Sequence, residues 1–215
     1  MDKLTSTQIL DAGLNDWRQL AQGIHARFRT GSFTAGLRFV TAVTEAAEAA
    51  NHHPDVTLTY PHVDLKLISH DVGALTQRDV DLARAISSIA HEQGLTPQPG
   101  ALAEVELALD TAALADAGPF WAALLTGDAR NVSGDDVVDP SGRVPLLWFQ
   151  GTDAHETPRQ RFHLDVWVPH DVADARIAAA VAAGGTVVDD AQAPSFTVLA
   201  DGEGNRACVC TVLSR

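Results

Sequence analysis

The chain has 215 residues, a formal net charge of −13, and 46% apolar and 20% charged residues, which suits one large or two small globular domains, each able to bury a core. No apolar run approaches the about 20 residues needed to span a bilayer, and the opening MDKLTSTQILDAGLNDW lacks the apolar stretch of a secretion signal, so a cytoplasmic protein with no membrane partner is expected. Residues 1–98 carry 8 Lys+Arg against 11 Asp+Glu and residues 99–215 carry 7 against 17; neither half offers a basic field to a nucleic-acid backbone, which excludes nucleic acid as an expected partner.

In chain order, Thr5 to about Ala12 reads as a short helix, and Trp17–Thr30 as two strands around Gly23. Residues 32–50 have helical spacing, with Phe39, Val40, Val43, Ala46, Ala47 and Ala50 on one stripe. Pro54 biases His53 away from helical geometry, so that helix should end near Asn51 or His52. Strict alternation in Asp55–Tyr60 and His62–Leu67, with Pro61 between, predicts two half-buried strands. Residues 76–91 form the next helix, opened by the Thr76-x-x-Asp79 capping box and a Leu75/Val80 staple. Helices on one face of a four-stranded antiparallel sheet, an α+β domain, are the expected fold.

Gly94-Leu-Thr-Pro-Gln-Pro-Gly100 cannot continue a helix or a central strand, and the charge step falls at the same place. A linker is expected there, dividing the chain into domains 1–98 and 99–215. Beyond it come a strand at 105–109, a helix at 112–125, and strands near 135–138 and 144–149. The order then restarts with a strand at 161–168, a helix at 171–183, and strands near 186–188, 195–200 and 206–213. This is a strand-helix-strands unit used twice. Cys208 and Cys210, two apart on one strand face, are poor candidates for a mutual disulfide, which agrees with a reducing compartment. Thirteen arginines against two lysines hint at a GC-rich bacterial genome.

Four of the nine histidines are crowded between His52 and His70. His52 and His53 follow a helix C-terminus, whose dipole favours imidazolium, and Glu48, four residues before His52, favours it further. His70 follows a strand that can return to the same edge. Such a group suits proton transfer in both directions. Ordinary surface histidines are one alternative. A metal site is another, although adjacent histidines rarely point at one ion and no cysteine or second HxxxH supports it.

The run Glu48-Ala-Ala-Asn-His-His-Pro54, Tyr60, His70, then Gly73-x-Leu-Thr-x-x-Asp79 resembles the pterin-4a-carbinolamine dehydratase family, and the likeness extends over about residues 4–95. It implies a hydro-lyase that turns 4a-hydroxytetrahydropterin into quinonoid dihydropterin and water, with the pterin as substrate and neither cofactor nor metal. By carry-over, His52, His53 and His70 are the catalytic set, and Glu48, Pro54, Ser69, Asp71 and Asp79 contact substrate. Asp79 also has a complete explanation as a helix cap, and Glu48 as an orienting partner or a solvated helix residue. A homo-oligomer is expected. A dimerisation or protein-binding module is a rival reading, which the retention of all three histidines disfavours.

Residues 103–213 resemble the glyoxalase-like branch of the vicinal-oxygen-chelate superfamily, through Leu109-Asp110, Phe120-Trp121-Ala-Ala-Leu, Leu147-Trp148-Phe149-Gln150, His163-Leu-Asp-Val and Ala200-Asp-Gly-Glu-Gly-Asn-Arg-Ala-Cys-Val-Cys210. Metal-using members place one ligand on each of four strands; here those places fall on Glu106, the Leu147-Trp148 region, His163 and Cys208. Only Glu106 and His163 are ordinary ligands, so no catalytic metal is expected, with a Cys208 thiolate the one route to a third ligand. A small-molecule pocket, a lyase- or dioxygenase-type activity and a structural appendage all stay open for this half.

Overall fold

A computed structural model describes residues 2–153, 162–182, 184–200 and 206–214. The fold is α+β and divides into two compact units: the chain up to Ala103, with Val168–Val172 and the residues from Thr211 on, and Glu104–Trp167 with Ala173–Cys210. Among the described residues no helix is long and apolar enough to cross a membrane.

In the first unit, α1 (Ser6–Asp11) begins at Thr5 with a complete capping box closed by Gln8. Strands β1 (Trp17–Leu20) and β2 (Gly23–Arg29) form a hairpin; α2 (Phe33–Ala50) follows, then the hairpin β3 (Asp55–Thr59) and β4 (His62–Leu67), and α3 (Gln77–Glu92). The sheet order is β1-β2-β4-β3, antiparallel throughout. Alternation turns Ile24, Ala26 and Phe28 of β2 and Val63, Leu65 and Leu67 of β4 toward the helices. They pack there against Phe39, Val43 and Ala47 of α2 and Val80, Ala83, Ile86 and Ala90 of α3. Phe28 and Phe39 meet edge to face at 5.3 Å.

Two expectations need correction. The alternation of β3 predicts a half-buried strand, but as the sheet edge it is mostly exposed: only Leu58 is covered, beneath Gly36 of α2, and Val56 on the same face is 39% exposed. The proline-rich segment is also more than a connector. Gly94, at φ +68°, ends α3, and Thr96–Pro97 form β5, which pairs with Phe28 and Arg29 of β2. β1 covers β2 only from Gly23 to Ala26, so the rest of that edge is free to take two more residues. A proline is tolerated at such an edge position.

The second unit is one eight-stranded sheet, β6 (Glu104–Thr111), β7 (Val132–Ser133), β8 (Asp136–Val137), β9 (Leu147–Gly151), β10 (Phe162–Trp167), β11 (Thr186–Asp189), β12 (Phe196–Ala200) and β13 (Arg206–Cys210), with α4 (Leu114–Thr126) and α5 (Ala173–Ala182). Its order, β11-β12-β13-β10-β6-β9-β8-β7, reads the same way outward from the centre in both directions. β6 runs parallel to β9, the last strand of its repeat; β10 runs parallel to β13, the last strand of the other. The two repeats join through the antiparallel β6–β10 pair. Leu109, Leu147 and Phe149 bury one face against Trp121, Ala122 and Leu125 of α4. Glu106, Trp148, His163, Asp165, Trp167 and Cys208 alternate onto the other face.

Candidate functional site

The first site begins with how α2 stops. Asn51 adopts a left-handed conformation (φ 45°, ψ 43°), and the His52 N–H donates back to Ala47 O at 3.1 Å, closing a Schellman-type cap. The reversal redistributes the partners expected from spacing. Glu48 meets His53, not His52: His53 Nε2 lies 3.3 Å from Glu48 Oε1, both groups exposed. His52 turns inward, 7% exposed, and its Nε2 lies 2.7 Å from Asp79 Oδ1.

Asp79 stands at the third position of α3 and is fully buried. Its Oδ2 accepts the Thr76 N–H at 2.8 Å and the Ser69 hydroxyl at 2.7 Å. Ser69 Oγ and Thr76 Oγ1 are 2.8 Å apart. Since Ser69 has one hydroxyl hydrogen and spends it on Asp79, Thr76 donates to Ser69 in turn. Thr76 Oγ1 also accepts the Arg78 N–H at 3.3 Å. The hydroxyl chain ends on one carboxylate, which leaves Asp79 an acceptor for the His52 Nε2–H.

The loop after β4 carries His70 next in the chain to Ser69, which joins this network. Ser69 N–H donates to Ala74 O, and Gly73 N–H to Ser69 O at 2.9 Å; Gly73 holds φ +62°, which suits glycine in so tight a turn. His70 and Asp71 are exposed within it. The Arg78 guanidinium binds Asp71 and holds its carboxyl below the ordinary range. Pro54 is half-buried just after His53.

Three of the expected substrate contacts therefore have other work. Ser69 and Asp79 are 0% exposed and bonded to each other, and Asp71 is held by Arg78. His62, fourth of the crowded histidines, stands opposite Arg29 and Thr59 on the sheet face away from the helices, apart from this network. Sequence reading missed Thr76 as a buried hydroxyl donor, although the capping box already pointed to it.

The second unit presents a different cluster. Trp167 Nε1–H donates to Glu106 Oε2 at 2.6 Å, and Trp148 Nε1–H to Asp165 Oδ2 at 2.9 Å. His163 packs edge-on to Trp148 at 5.4 Å, and its Nε2 is 3.7 Å from Asp165 Oδ1. Of the four strand places that the glyoxalase likeness marks, Glu106 accepts the Trp167 indole N–H and Trp148 carries an indole in place of an ordinary ligand group. The turn Asp201–Asn205 and the side chains of Phe120 and Leu124 lie outside the described residues.

Residues 2–89 match the family model for pterin 4 alpha carbinolamine dehydratase. A protein of Thermosynechococcus vestitus provisionally named pterin-4-alpha-carbinolamine dehydratase is 38% identical over 79 residues, 37% of this chain and 83% of its own length. The chain belongs to the pterin-4a-carbinolamine dehydratase family. A second dehydratase relative, from Chloroflexus aurantiacus and also provisionally named, is 42% identical over 91 residues, 41% of this chain and 98% of its own. A crystal structure described as a transcriptional coactivator/pterin dehydratase from Brucella melitensis aligns with a TM-score of 0.40 at 27% identity, over 41% of this chain and 99% of that one. Residues 106–210 match the model for a glyoxalase-like domain, so the dehydratase-family segment is joined in one chain to a domain of a second family.

Proposed function

We propose that the first unit dehydrates a 4a-hydroxytetrahydropterin to the quinonoid dihydropterin by histidine acid/base catalysis, without metal or redox cofactor. The observation that carries this reading is the buried 2.7 Å pair of His52 Nε2 and Asp79 Oδ1. Loss of water from C4a needs one group to protonate the departing hydroxyl and another to take a proton from the pterin ring nitrogen. No electrons move. With Nε2 committed to Asp79, His52 has Nδ1 left for the role of base, and the exposed His53 and His70 are the groups assigned to protonate the leaving hydroxyl.

Ser69, Thr76 and Asp79 are positioning residues in this scheme, acting through the tautomer and orientation of His52 as a metal-free counterpart of a histidine–carboxylate pair. Asp71 and Arg78 hold the loop that carries His70. The chain is inferred to work as a homo-oligomer, with Phe33 and Leu37, each 53% exposed one turn apart on α2, as the surface to test. Purified protein should accelerate the dehydration, and His52→Ala or His70→Ala should slow it by ~10²-fold or more, the scale for losing a positioned acid or base. Unchanged rates in both variants would contradict the assignment.

A further inference from the structure

We propose that Val168–Val172 is a strap and the chain from Thr211 on a tail that together complete the first unit, so that its fold depends on residues far beyond the dehydratase-family segment. Both stretches belong to that unit, although they follow β10 and β13 directly in the chain. Val168, Thr211 and Val212 are all buried.

The first sheet shows why a second covering layer is needed. The helices cover the face that carries Trp17, Ile24 and Ala26. Alternation turns Arg18 and Leu20 of β1, with His25 opposite Arg18 on β2, to the other face. A single helix layer would leave those positions in water, yet Leu20 is 0% exposed and His25 8%. The Gln98 N–H donates to Arg27 O at 2.8 Å, which lays the turn Pro99–Ala101 beside β2. The strap reaches this turn: a Cβ on Gly100 would stand 3.5 Å from Val172 Cγ1.

A bidentate ion pair fastens the strap. Arg18 Nε and Nη2 donate to Asp171 Oδ1 and Oδ2 at 3.1 and 2.6 Å, across 153 residues of sequence. Arg18 Nη1 donates to Asn15 O and Trp17 O, so the backbone presets the fork that grips the carboxylate, the geometry in which an arginine pair is strongest. Beside it, His170 lines one cavity with Leu10, Leu14, Trp17 and Ile24. β1 is the end strand of its sheet, and a loop held against such a strand is one way of protecting an unpaired edge.

The test reads association and hydrogen exchange, not dehydratase activity, so its failure would leave the first unit's assignment untouched. Full-length protein with a protease site inserted between Ala103 and Glu104 should, once cut, still elute as one species, because the strap and tail on the second piece remain part of the first unit. Asp171→Arg, which sets two cations together, should speed amide exchange across β1 and β2 about fivefold or more, the scale for an ideal bidentate pair. Adding Arg18→Asp should restore most of that protection. Asp128→Ala, which breaks the Arg130–Asp128 pair of the second unit, should leave β1 and β2 unchanged. If Asp171→Arg does not fold, the cut wild-type protein decides the question. Cut pieces that separate with the protection of β1 and β2 intact, or the same exchange in Asp171→Arg as in wild type, would overturn the proposal.

Discussion

Both units set a histidine beside an aspartate, and the two pairs differ in what the carboxylate has left to give. In the first, Asp79 is 2.7 Å from His52, and its other oxygen is taken by a backbone N–H and a hydroxyl. Nothing on that carboxylate remains for a cation, and the pair is built to fix one imidazole tautomer. In the second, Asp165 stands 3.7 Å from His163 with a thiol close by, and only one oxygen has an indole donor. The same two residue types make a closed hydrogen-bonded pair where the carboxylate is saturated, and a looser contact where it is not.

The largest effect should come from removing the saturated carboxylate. Asp79→Ala leaves His52, Ser69 and the Thr76 N–H without their acceptor inside the fold, and should cost about 3–5 kcal/mol in chemical denaturation, the scale for breaking a buried charged pair. Asp165→Ala, whose histidine neighbour stands at 3.7 Å, should cost clearly less. Equal losses would erase the distinction between the two pairs.

A third histidine serves as the control without a carboxylate ligand of its own. His25 is 8% exposed with no hydrogen-bond partner at Nε2, and burial, aided by Lys66, pushes its pKa from 6.5 to about 4. As pH falls from 6.5 toward about 4, the unfolded chain takes up a proton that the folded one refuses, so stability is lost in that window by up to about 3 kcal/mol. His25→Met should flatten this part of the stability–pH curve; an unchanged curve would show that His25 is not the group responsible.

A smaller effect tests the hydroxyl relay. Thr76→Ala removes both a helix cap and the donor to Ser69, and should cost ~1–2 kcal/mol, while Thr76→Ser restores most of it. If Thr76→Ala melts as wild type, the relay contributes nothing to holding Asp79.

Much of this was legible in the sequence because the relevant signals are local. The stripe on α2, the alternation of β4 and the Thr76-x-x-Asp79 box place their elements through short-range geometry, and the doubled strand-helix-strands order of the second half becomes the symmetric strand order of its sheet. The partners of the histidines were not legible in the same way. Helical spacing assigns Glu48 to His52, but the left-handed turn at Asn51 delivers it to His53 instead. The true partner, Asp79, is 27 residues away, beyond any local periodicity. Asp165 was in view beside His163, and its share in the cluster depends on the β10–β13 register, which no single strand reveals. β5 was hidden because Pro97 within it and Pro99 after it signal a break, and only the short reach of β1 leaves room for it.

The dehydratase activity proposed for the first unit is one that needs no metal ion. The most direct measurement is the rate of 4a-hydroxytetrahydropterin dehydration by one preparation before and after treatment with chelator. The account predicts the same rate at both points. A rate that falls with the metal and returns with added zinc would contradict it.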